Sequence, residues 1–214
     1  MMLNPLDSTR VHYYDLPERC PSSGLLFRFG HPLVHELFVL ASIEPFVDRV
    51  LVGADEFVVH AKNGKATAMS FALKLVSAAR GPSYWHPSPS SRGGRSVSCD
   101  ALVRQAQANG VALTFFSRDD IYAHGLGYRS AELAFRYLQA VQGRELDDLE
   151  HRVRQELTKH RYVTARRIAR DLREGAADVL GVCLLLYRRG ELRPSPRPTP
   201  MGPCWEMEAV HAAW

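Results

Sequence analysis

Glu36, Asp55, Glu56 and Lys74 are residue types suited to the hydrolysis of a phosphodiester. That chemistry needs two or three oxygen ligands holding a divalent cation beside the scissile phosphate. The cation polarises a phosphoryl oxygen and lowers the pKa of an attacking water. A lysine close by offsets charge building on the phosphoryl oxygens, or orients that water. On this reading Glu36, Asp55 and Glu56 are metal ligands for Mg²⁺ or Mn²⁺, and Lys74 completes a catalytic set. The spacing asks for a hairpin. Asp55 and Glu56 open one apolar run, Asn63-Gly64 supplies a turn that tolerates positive φ, and Lys74 ends the returning run. Period-two alternation puts position 72 on the same face as Lys74. That position is Ala72, which has no side-chain oxygen. The same residues also read as a polar turn at Asp55/Glu56 and a solvated strand end at Lys74.

A second set is basic. Residues 152–173 hold eight Lys and Arg and only two acids, a net +6, while the whole chain carries +4. The remainder is therefore slightly acidic, and a change of partner or of domain near residue 145 is the simplest explanation. Arg166, Arg167 and Arg170 share one side of a helix and can reach neighbouring phosphates. Thr164 or the helix N-terminus can add a contact. With Arg154, Lys159, Arg161, Arg188 and Arg189 they form the candidate DNA-binding set. A solvated face is the alternative. His31 and His35 have the spacing of metal ligands on a helix, but no third ligand accompanies them. Tyr84-Trp85-His86 could stack on a nucleobase or simply anchor its loop.

These residues need elements to position them. Leu33, Leu37, Leu40 and Ala41 recur at helical spacing after Pro32, and Pro45 marks the end. Residues 49–52, 56–60 and 66–75 read as strands separated by Gly53 and Asn63-Gly64. Residues 80–98 hold three prolines, three glycines and six serines, which predicts a mobile loop. A helix over 99–109, a buried strand over 111–117 and a helix over 130–141 follow. The C-terminal part reads as helices over 147–159, 164–172 and 176–189, then a hairpin from 191–193 to 204–208. Helix–helix–helix–hairpin is a winged helix-turn-helix pattern. Its third helix is so apolar that backbone contact or protein docking is expected of it in place of base reading.

Composition limits the classes. The chain has 214 residues, 46% hydrophobic and 23% charged, so it can bury a core and is not wholly disordered. The longest apolar stretches, 37–43 and 182–187, fall far short of the ~18 residues of a membrane span. The charged, proline-containing first residues do not read as a secretory signal. The cysteines, Cys20, Cys99, Cys183 and Cys204, show no CxxC spacing. They predict no cysteine zinc site and suit reduced thiols in the cytoplasm.

Residues 30–195 resemble the TnsA endonuclease subunit of heteromeric cut-and-paste transposases. The resemblance is carried by HELFVLASIEPFV (35–47), DEFVV (55–59), NGKATAMSFALK (63–74), GVALTFFSRDDI (110–121) and YRRGELR (187–193). It implies an α/β restriction-endonuclease-like domain over 1–143 and a winged-helix domain over 144–214. It implies Glu36 as the helix acid, Glu56 or Asp55 as the hairpin ligand and Lys74 as the catalytic lysine, with Ala72 where Gln or Glu is expected. The function implied is Mg²⁺-dependent nicking of transposon 5′ ends, beside a transposase subunit and an ATPase regulator subunit. Ala72 keeps a second reading open, an inactive nuclease-fold DNA-binding or scaffold subunit. A winged-helix transcription regulator is a third.

Overall fold

The computed structural model describes residues 16–21, 25–53, 56–60, 66–88, 99–108, 110–123, 127–196 and 199–210. In chain order the elements begin with β1 (Leu16–Arg19), β2 (Leu26–Phe29), α1 (Pro32–Ile43), β3 (Arg49–Val52), β4 (Glu56–His60) and β5 (Ala66–Ser70). They continue with β6 (Leu73–Val76), β7 (Ser83–Pro87), α2 (Cys99–Ala108), β8 (Ala112–Phe116), α3 (Arg118–Ala123) and α4 (Tyr128–Val141). The last are α5 (Asp147–Thr158), β9 (Val163–Thr164), α6 (Ala165–Leu172), α7 (Ala176–Arg188), β10 (Leu192–Pro194) and β11 (Glu206–Ala209). The class is α/β, as expected, built on a mixed sheet.

Local chemistry explains α1. His31 Nδ1 accepts the Leu33 N–H at 3.2 Å, and Pro32 occupies the first turn, where no amide partner is needed. Glu44 before Pro45 turns the chain to extended backbone. Leu37 through Ile43 are all buried, so the helix runs through the core.

The central sheet has the order β3-β6-β7-β8. β6 is antiparallel to both neighbours, and β7 runs parallel to β8 across the connection through α2. Alternation divides the side chains between two faces. Leu73, Leu75, Trp85 and Phe116 join Leu37, Phe38 and Leu40 of α1. Tyr84 and Leu113 point the other way, with Phe71 and Leu102 of α2.

Two sequence expectations change here. The run 66–75 is two strands, because the chain bends at Phe71-Ala72. β5 pairs with β4 in a separate two-stranded sheet, and β6 enters the main one. The loop expected over 80–98 contains β7, whose Tyr84, Trp85 and His86 are buried in mid-sheet. Pro82 and Pro87 bracket that aromatic run and give it the look of a loop. Residues 89–98 of the expected loop lie outside the described residues.

The second half runs α5-β9-α6-α7-β10-β11, with a small antiparallel sheet ordered β10-β11-β9. One apolar cluster extends from Cys20 to Ala209, so the core crosses residue 143 without a break. α7 is its centre, with Val179, Leu180, Val182, Cys183, Leu184 and Leu186 buried. Gly181 lets α7 meet α4, since a Cβ there would lie 2.3 Å from Val141 Cγ1. Gly181→Ala is therefore expected to cost about 2 kcal/mol through overpacking. Urea unfolding measures this, and an unchanged midpoint would show that α4 and α7 are free to separate. A second close fit joins the halves at Gly190. Its φ of +78° is disfavoured for a side chain, and its Cα lies against the Phe46 ring. Phe46 is itself held at φ +66°, with its N–H on Arg188 O at 2.5 Å.

Candidate nucleic-acid interface

Glu36 belongs to a helix on one side of the central sheet, and the Lys74 side chain lies on the other side. Lys74 lies on β6 with its ammonium 5.7 Å from the centroid of the Tyr84 ring, on the face that α2 covers. Glu36 lies on α1, which covers the opposite face. Its Oε1 accepts the Tyr122 O–H of α3 at 3.3 Å, and its Oε2 is enclosed without a hydrogen bond. Arg118, one turn before Tyr122, feels the Glu36 charge as well as its contact with Tyr122. The Tyr122 contact is the larger cause of the raised Arg118 pKa. Ala72 does not share the face of Lys74 that alternation along a single strand predicts for it. The bend at Phe71-Ala72 packs its methyl against the α1-side cluster, away from Lys74. Its N–H donates to His86 Nδ1 at 3.0 Å. Glu56 pairs through its backbone with Ser70 in β4–β5, a different sheet from that of Lys74. Asp55 lies outside the described residues. Of the paired histidines, His31 caps α1 and His35 sits against Phe29, with ring centroids 5.4 Å apart. Burial lowers the His31 pKa, partly opposed by Glu36.

The basic set divides into two groups. Arg154 is clamped between Glu150 at 2.7 Å and Glu191 at 2.9 Å, and Arg189 shares Glu150 at 2.6 Å. Glu150 is only 12% exposed, which makes this a partly buried network whose members hold one another in place. Arg188 points inward. Its guanidinium donates to Val47 O at 2.6 Å, and burial lowers its pKa. Lys159 pairs with Glu156. Arg154, Arg188 and Arg189 thus act within the protein, while the exposed Lys159 has Glu156 as its partner.

The other group faces solvent along α6. Thr164 caps that helix by accepting the Arg167 N–H at 3.2 Å. Ala165, Ile168 and Ala169 turn inward, so Arg166, Arg167 and Arg170 are left on the outer side. Arg173 ends the helix at φ +58° and is exposed too. Arg161 stands just before β9, 5.3 Å from the Tyr162 ring. Among the described residues no carboxylate pairs with Arg161, Arg166 or Arg173. Arg167 and Arg170 share the single carboxylate of Asp171, at 3.6 and 3.2 Å. The pairs are exposed, so each contributes little stability and yields readily to a stronger anion. Arg166, Arg170 and Arg173 fall at i, i+4 and i+7, one stripe of positive charge. A row of this kind suits a phosphate backbone, which needs charge and reach but no base-edge geometry.

The sequence reading missed the Glu150–Arg154–Glu191–Arg189 network. Half of it was visible, since Glu150 and Arg154 stand at i, i+4, but Glu191 arrives only by folding. It also missed His86 as a buried structural group and Arg118 and Tyr122 as the surroundings of Glu36. Among the described residues no helix is long and apolar enough to cross a membrane. Comparison with protein-family models gives no match, and comparison with curated proteins gives none.

Proposed function

We propose that the chain is a double-stranded-DNA-binding subunit of a transposition complex in the cytoplasm, one that keeps a nuclease-like scaffold without cutting through the Glu36/Lys74 set. The observation that carries the DNA-binding part is the solvent-facing row Arg161, Arg166, Arg167, Arg170 and Arg173, three of them without a carboxylate partner among the described residues. The order α1-β3-β4-β5-β6-β7-α2-β8, with a mixed sheet between α1 and α2, supports the nuclease-like part. The order α5-β9-α6-α7-β10-β11 supports a winged helix in the second. In that arrangement α7 is too deeply buried to enter a groove, so α6 and its flanks make the contact, and they read phosphates more than bases. Partnership with a transposase subunit and an ATPase regulator rests on the TnsA resemblance.

Separation of Glu36 from Lys74 across the sheet favours the non-cutting version over an active Mg²⁺ or Mn²⁺ nuclease. A catalytic lysine must reach the phosphate that the metal holds, and Lys74 lies on the α2 side of the sheet while Glu36 belongs to the helix on the other side. The protein is expected to bind a mixed-sequence duplex at low salt and to leave a supercoiled plasmid intact with Mg²⁺ or Mn²⁺. Ala72→Glu should not confer cutting, because position 72 faces away from Lys74. Absence of duplex binding at low salt would remove the DNA-binding reading. Nicking that disappears with both Glu36→Ala and Lys74→Ala would restore the nuclease.

A further inference from the structure

Behind the arginine row, where the end of α5 meets α6, three side chains converge. One ligand atom each from Glu156, His160 and Asp171 lie within 4.8 Å of one another. Glu156 is in the last turn of α5, His160 follows that helix, and Asp171 is in the last turn of α6. The Glu156 side chain is only 13% exposed, so its carboxylate is held close against the protein. The carboxylates are also the counter-charges of the basic surface, Glu156 for Lys159 and Asp171 for Arg167 and Arg170.

We propose that Glu156, His160 and Asp171 bind one divalent transition-metal ion, and that its binding frees Lys159, Arg167 and Arg170 to contact DNA phosphates. The donor set selects the class of ion. An imidazole with two carboxylates suits Zn²⁺ and its first-row neighbours, whereas Mg²⁺ prefers oxygen donors in a near-ideal octahedron. Zinc bonds of about 2.0–2.2 Å place ligand atoms roughly 3.5 Å apart, so side-chain adjustments of about an ångström close the set. Charge drives the exchange. Two carboxylates that now neutralise three cations are instead neutralised by a 2+ ion, and the surface becomes more positive by two charges. The metal site stands on the triad alone. Its effect on DNA rests on the DNA-binding reading above.

Isothermal titration of the full chain with ZnCl₂, without DNA, tests the site. The expected result is one ion per chain, at least tenfold weaker binding in His160→Ala and in Asp171→Asn, and no comparable signal with MgCl₂. No saturable Zn²⁺ binding, or equal binding by the wild type and both variants, would overturn the site. Fluorescence anisotropy with a labelled duplex, in ZnCl₂ or in EDTA, tests the exchange. Zn²⁺ should tighten wild-type binding roughly tenfold and steepen its salt dependence by up to about three units, one for each cation released to a phosphate. His160→Ala should give the same affinity in both. Saturable Zn²⁺ binding with unchanged DNA affinity would overturn the exchange. Failure to bind DNA in either condition would overturn the exchange together with the DNA-binding reading, while titration decides the metal site by itself.

Discussion

Replacing Arg166, Arg167 and Arg170 together by alanine is expected to weaken binding to any duplex by about a hundredfold at low salt. Each arginine that leaves a phosphate removes close to one unit from the slope of log K against log salt, so the slope should flatten by about three where Arg167 and Arg170 are released from Asp171, and by less where they stay paired with it. The loss should be alike for unrelated sequences, because the row touches backbone and not base edges. All three side chains are exposed and the two pairs that Arg167 and Arg170 make with Asp171 are weak, so the fold should survive with an unchanged circular dichroism spectrum. Lysine at the same positions keeps the charge without the planar fork and should retain much of the affinity. Arg154→Ala makes the contrast, since Arg154 is occupied by Glu150 and Glu191. It should lower stability by leaving the partly buried Glu191 without its partner and Glu150 with Arg189 alone, and leave the salt slope unchanged. Anisotropy titrations across salt measure all of this. An unchanged slope in the triple variant would take DNA binding away from α6.

Acid should unfold the protein through His86. The ring is 3% exposed between Phe71 and Phe115, and burial pushes its pKa down to about 4. Its Nδ1 accepts the Ala72 N–H, so protonation would also replace an acceptor with a second donor at that contact. The unfolded chain binds a proton near pH 6.5, well before the folded one does. The stability contributed by the neutral ring is therefore complete above pH 6.5 and falls as the pH drops from 6.5 through about 4. The loss amounts to about 2 kcal/mol by pH 5 and about 3 kcal/mol by pH 4. Urea unfolding at pH 7, 5 and 4 measures it. His86→Gln keeps an acceptor for Ala72 and cannot titrate, so its pH dependence should be shallower than that of the wild type. Equal pH dependence in the two proteins would place the acid-sensitive group elsewhere.

Both predictions concern residues present in the sequence from the start, yet only the arginine row was legible there. Arg166, Arg167 and Arg170 at i, i+1 and i+4 are a local property, fixed by helical geometry once Thr164 caps the helix, and the structure adds Arg173 at i+7. The same locality made α1 readable from Pro32, Pro45 and its apolar spacing, and β3 and β4 from their short apolar runs. His86 was hidden because its run, Ser-Tyr-Trp-His-Pro, lies among prolines, glycines and serines. It becomes a strand only when β6 and β8 supply hydrogen bonds on either side.

By itself the sequence determined the α/β class, most of the helices and the excess of positive charge in residues 152–173. Those depend on turn chemistry, hydrophobic period and residue counts, which act over a few residues. Tertiary structure alone decided what each charge does. Arg154 and Arg166 are equivalent in a count, but folding brings Glu191 to Arg154 from 37 residues away and leaves Arg166 facing solvent. The bend at Phe71-Ala72 likewise sends Ala72 to the α1 side of the sheet and Lys74 to the α2 side, and parts Lys74 from Glu36. The physical reason is that electrostatic and metal-ligand interactions depend on distances of a few ångströms and on burial. Both are set by how remote elements pack, and neither is set by spacing along the chain.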